Sequence, residues 1–92
     1  MRSLNWDPEK NEMLKKERGI SFEHVIFAIE NDQLLDVLEH PNPEKYGGQK
    51  LYVVEIENYA YIVPFVDHGD ERTLKTIFPS RKYTKLYLDK ER

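Results

Sequence analysis

The sequence predicts an α+β domain: two N-terminal helices, a four-stranded and mainly antiparallel sheet, and a C-terminal helix. Three observations carry that expectation. Asp7-Pro8 and Gly19 bracket a first helix, Phe22, Val25, Ile26 and Ile29 form one apolar stripe at helical spacing, and two β-rich runs flank the turn dipeptide Glu57-Asn58.

Each element follows from its own residues. Asp7 is a natural N-cap, Pro8 fits the first turn because its missing N–H is not needed there, and Gly19 can stop the helix in a left-handed conformation. Residues 8–17 are therefore expected as helix, with Met13 and Leu14 buried and Trp6 packed at its start. Ser21 caps a second helix over 22–31. Asn31-Asp32 breaks it, and Leu34 to Leu38 reads as a short strand, with an extended second helix as the alternative. His40-Pro41-Asn42-Pro43-Glu44 and Gly47-Gly48 are turns. Gln49 to Ile56 and Tyr59 to Val66 form a hairpin, and Pro64, which has no N–H to donate, calls for an edge or a bulge. Asp67 to Glu71 connects to a fourth strand over 73–78, which Pro79 ends. Ser80 then caps a helix whose inward face is Tyr83, Leu86 and Tyr87, and the order is ααββββα.

Ninety-two residues make one small domain, 1–92. The absence of cysteine excludes a disulfide framework, a thiolate metal site and a thiol nucleophile, and fits a reducing cytoplasm. No charged leader precedes an apolar stretch, and no apolar run approaches the roughly 20 residues a membrane helix needs, so a soluble protein with no membrane partner is expected. The net charge of −3 conceals a polarised chain. Residues 1–22 carry five basic and four acidic side chains, residues 23–71 two and eleven, and residues 72–92 seven and two. Such a chain can hold an anionic ligand on one face and a cationic partner on another, although solvated charged faces explain the same pattern.

Arg81 and Lys82 follow the cap at Ser80, placing two cations at a helix end that is already positive. Local stability disfavours this by about 0.3–1 kcal/mol per charge, whereas an anion held by the side chains and free backbone N–H groups would relieve it. Lys85 lies one turn on, while Lys75 and Arg72 approach from the preceding strand. Lys15, Lys16 and Arg18 make the end of the first helix basic, and Tyr83 leans toward the same patch, although its place in the apolar stripe favours packing. His24, His40 and His68 form no i, i+4 pair. His24 is a reserve general base, and the Asp67–Glu71 loop lacks the ligand spacing of a calcium site. No nucleophile elbow, Walker loop or dinucleotide glycine pattern is present.

Trp6-Asp7-Pro8-Glu9-Lys10, Gly19-Ile20-Ser21-Phe22-Glu23 and Ile77-Phe78-Pro79-Ser80-Arg81-Lys82 together resemble the BrnT family, the ribonuclease toxins of type II toxin–antitoxin pairs, whose fold is similar to the RelE group. Aligned on Trp6 and Gly19, Leu14, Glu17 and Arg18 stand where many members have Asn, Lys and His. Of the family's Ser-Ala-Arg only Arg81 carries over, and Tyr87 replaces a later acidic residue.

The resemblance implies metal-independent RNA cleavage that arrests translation and growth, with no cofactor. Such cleavage needs a base for the 2′-hydroxyl, cations on the scissile phosphate and an acid for the leaving oxygen. Arg81 is the expected phosphate clamp, with Lys75 and Lys10 assisting, and Lys82, Lys85, Lys16 and Arg72 as RNA-binding residues. The implied partner is an antitoxin, a small ribbon-helix-helix DNA-binding protein, with a heterotetramer built on an antitoxin dimer. The alternative is a catalytically inactive RelE-like binding module or translation regulator acting through an antitoxin or the ribosome.

Overall fold

The computed structural model describes residues 3–40, 42, 44 and 49–88. It is an α+β fold with the order β1 (Ser3–Asn5), α1 (Pro8–Arg18), α2 (Phe22–Glu30), β2 (Leu34–Glu39), β3 (Gln49–Ile56), β4 (Tyr59–His68), β5 (Glu71–Leu74), β6 (Phe78–Pro79) and α3 (Arg81–Leu88). The Gly47-Gly48 turn lies outside the described residues.

The helix boundaries obey local chemistry. Asp7 accepts from the Glu9 N–H at 3.0 Å, and Gly19, at φ 66°, donates to the Lys15 carbonyl at 3.1 Å. Ser21 begins α2 through a capping box with His24. Asp32 takes φ 61° and turns the chain into β2, so the second helix does not extend.

The sheet has six strands among the described residues, in the order β1-β5-β4-β3-β2, with β6 pairing β4 beyond the end of β5. The four-stranded expectation missed β1, which joins β5 in parallel and makes the sheet mixed. Ser-Leu-Asn has no strand signature, and its pairing depends on a strand distant in sequence. The fourth strand also moves, from 73–78 to Glu71–Leu74. Gly69, at φ 58°, allows a tight return at residues 69 and 70, so pairing starts at His68 and Glu71.

Pro64 explains where that strand ends. It stands inside the central strand, paired with Leu51 on β3, and not at an edge. Its carbonyl accepts from the Lys75 N–H at 2.8 Å, but proline cannot return a hydrogen bond on that side. The ladder stops there, Thr76 and Ile77 leave it, and β6 resumes opposite Tyr61 and Ile62.

Two cores result from strand alternation. Tyr52 and Val54 of β3 and Val63 and Phe65 of β4 meet Leu14, Phe22, Val25 and Ala28 of α1 and α2. Trp6, expected to pack at the start of α1, stacks on Phe22 at the start of α2, with 5.6 Å between ring centres. Leu51, Val53, Ala60 and Ile62 are buried on the opposite face, where α3 packs. Two expected core residues are exposed: Met13 by 48% and Leu86 by 58%. The inward stripe of α1 runs through Asn11 and Leu14, and α3 rests on the sheet through Tyr83, Thr84 and Tyr87, leaving Leu86 outside.

Candidate nucleic-acid interface

The start of α3 is fixed to the sheet by reciprocal bonds. The Ser80 N–H donates to the Ala60 carbonyl at 2.9 Å, and the Ala60 N–H donates to Thr84 Oγ1 at 2.9 Å. Ser80 Oγ accepts from the Tyr83 N–H at 3.1 Å, which is the expected cap. Arg81 and Lys82 therefore occupy the first turn of a clamped helix that has no acidic residue in that turn. Both are exposed. The Lys82 ammonium lies 5.4 Å from the Tyr83 ring centre, while Arg81 makes no hydrogen bond or ion pair among the described residues.

A contact across the fold brings a second basic helix end to the segment that leads into α3. The Arg18 guanidinium donates to the Ile77 carbonyl, setting the C-terminus of α1 against the segment between β5 and β6. That segment carries Lys75, whose exposed side chain is unpaired among the described residues, and leads directly into Ser80 and Arg81. Lys15 is paired with Glu12 at 3.3 Å, whereas Lys16 and Lys85 are exposed and unpaired among the described residues. In the sequence Arg18 is only one of the cations at a basic helix end. Its partner is 59 residues away, and no local pattern announces it.

Lys10 and Arg72 are placed differently. Lys10 is half-buried in the first turn of α1, about 12 Å along the axis from the anchored Arg18 end. No hydrogen bond or ion pair links it to the 75–82 segment among the described residues. Arg72 grips Asp67 with two bonds of 2.6 and 2.9 Å, donates to the Tyr52 hydroxyl at 2.7 Å and lies 4.3 Å from the Phe65 ring centre. Its pKa is raised, chiefly by the Asp67 hydrogen bond. These bonds commit it to the edge of the first core, on the α1–α2 face of the sheet, rather than to the expected RNA patch.

The reserve candidates also resolve into local roles. Tyr83 is half-buried and stacks on Tyr87 at 6.0 Å. His24 Nδ1 lies 3.0 Å from the Ser21 backbone nitrogen, which can only donate, so the neutral ring carries its hydrogen on Nε2. With the Nδ1 lone pair in the capping box, His24 has none free for general-base work. Among the described residues, no three His, Asp or Glu side chains converge as metal ligands, and no helix is long and apolar enough to cross a membrane.

The arrangement can bind and neutralise an anion. At the start of α3, Arg81 and Lys82 supply charge, the first turn supplies N–H groups, and the Tyr83 ring lies beside the Lys82 ammonium. Comparisons of the chain with protein-family models, with curated proteins and with solved structures find no match.

Proposed function

We propose that this chain is the toxin of a type II toxin–antitoxin pair, a metal-independent endoribonuclease of BrnT and RelE-like kind that acts in the cytoplasm to inhibit translation and growth. The observation that carries the reading is the Arg18–Ile77 contact, which gathers the basic end of α1 against the segment bearing Lys75 and entering α3 at Arg81. A phosphate seated at the start of α3 receives the Arg81 fork and the N-terminal amides, while Lys75 and Lys82 neutralise the charge that builds on the scissile group. Lys16 and Lys85 hold the RNA backbone on either side, and Lys10 assists as a cation further along α1. A ribbon-helix-helix antitoxin binds the chain and silences it, as the resemblance in Trp6-Asp7 and Gly19 to Glu23 implies.

The test is inducible expression of the chain and of Arg81→Ala, with growth followed and new RNA 5′ ends mapped. Growth arrest with new ends, both lost in a folded Arg81→Ala variant, supports the nuclease. Retained cleavage in that variant overturns the clamp.

One observation favours a second reading. The patch holds Arg, Lys and Tyr, and the nearest sequence candidate for a base, His24, spends its lone pair on Ser21. A chain of this kind can bind RNA or the ribosome and block translation without cutting it. Growth arrest with intact RNA selects that reading.

A further inference from the structure

A cleft of about 250 Å³ runs along α2 on the side facing the β3–β4 turn, lined by His24, Phe27, Gln33, Glu55, Ile56 and Glu57, with Ala28 at its base. It is separate from the basic patch. Three features describe what it takes. Phe27 is 63% exposed, on the side of α2 away from buried Phe22 and Val25, so its ring forms a wall of the cleft rather than part of the core. Glu57, in the turn, lines the opposite side, and its carboxylate has no hydrogen bond or ion pair among the described residues, whereas Glu55 borders the cleft from a position in register with Ala60 on the other face of the sheet. The last turn of α2 carries no basic residue, so the negative end of the helix dipole adds to the same field.

We propose that this cleft docks a cationic amphipathic segment of a partner protein, one apolar side chain lying against Phe27 and Ile56 and a flanking Lys or Arg side chain on Glu57. The inference rests on the partner half of the reading above and not on its RNA half. Charge complementarity chooses the sign of the flanking residue: the Glu57 carboxylate and a helix C-terminus with no basic residue in its last turn reject an acidic segment and steer a basic one. The exposed ring supplies the anchor.

The experiment uses the full chain and an amidated peptide repeating Leu-Lys-Lys-Leu-Ala-Arg, with a control in which glutamate replaces every Lys and Arg. Binding is followed by fluorescence anisotropy and by ¹H–¹⁵N shifts. The basic peptide should shift the amides of Phe27, Ile56 and Glu57, weaken as salt is raised, and lose about tenfold in affinity with Phe27→Ala and several-fold with Glu57→Gln. Glu9→Gln, on α1, should leave it unchanged. Equal binding of the acidic control, shifts confined to another surface, or cleft variants that bind as the parent does would each overturn the proposal. Concentration-dependent shifts of the same residues without peptide would assign the cleft to a second copy and also overturn it. Arg81→Ala should bind the peptide normally, and Phe27→Ala should retain any RNA cleavage, so failure of the nuclease reading and failure of the cleft are told apart.

Discussion

Arg18 donates to the carbonyl of Ile77, and this one bond ties the end of the first helix to the segment that carries the chain from the sheet into the last helix. The bond satisfies a carbonyl where β5 has stopped and β6 has not begun. It also sets the basic end of α1 beside the segment that carries Lys75, far away in sequence.

Arg18→Ala should therefore act on both stability and the patch. A part-buried hydrogen bond from a charged donor is worth about 1.5 kcal/mol, reduced here by solvent around an exposed side chain. A loss of about 1 kcal/mol in urea denaturation is expected. RNA affinity should fall with a smaller salt dependence. An unchanged midpoint would show that the bond contributes nothing.

Asn11 is the buried polar residue of α1. Its Oδ1 accepts from the Phe22 N–H at 2.8 Å, and its Nδ2 donates to Glu23 at 2.9 Å, which lowers the Glu23 pKa as the largest cause. Asn11→Leu should cost about 1–3 kcal/mol by leaving the Phe22 N–H buried without a partner. Asn11→Asp keeps that acceptor but sets a second carboxylate against Glu23, so its stability should rise as pH falls through the carboxylate range. Thermal melts at several pH values check both.

Tyr87 donates to Asp36 and latches α3 to β2. This hydrogen bond lowers the Asp36 pKa below 3.8 and raises that of Tyr87 above 10.0. The Asp36 contribution is present above pH 3.8 and fades as pH falls through its depressed folded value. The Tyr87 contribution is complete below pH 10.0 and fades as pH rises through its raised folded value. Hydrogen exchange in α3 should accelerate toward both extremes beyond the intrinsic change, and Tyr87→Phe should remove that excess.

Glu57 and Asn58 both hold positive φ, 53° and 65°, as a type I′ turn requires. Asn58→Gly should stabilise the protein by about 0.5 kcal/mol, because glycine enters this region without a Cβ penalty. A lower melting temperature in that variant would mean that the Asn58 side chain contributes contacts of its own.

Much of the local structure was legible. Asp7, Pro8 and Gly19 delimit α1, Ser21 and Ser80 cap α2 and α3, and Glu57-Asn58 closes the hairpin, each through groups within a few residues. Of the patch, the order Ser80, Arg81, Lys82 was readable, since helix-end chemistry is local. Arg72 was not, because its basic charge says nothing about Asp67 and Tyr52 standing within reach.

The sequence by itself determined the α+β class, the ends of the helices, the central hairpin and the polarised charge, all of which depend on short-range geometry and composition. Only the tertiary structure decided that Ser3–Asn5 is a strand, that Pro64 belongs in the middle of the sheet opposite a broken ladder, and that Leu86 faces outward. It also decided the meeting of Arg18 with Ile77 and the cleft beside Phe27. The reason is physical: a strand, a gap or a cleft exists only when its partner arrives from elsewhere in the chain, and the free energy that selects it is gained in that pairing rather than in the residues themselves.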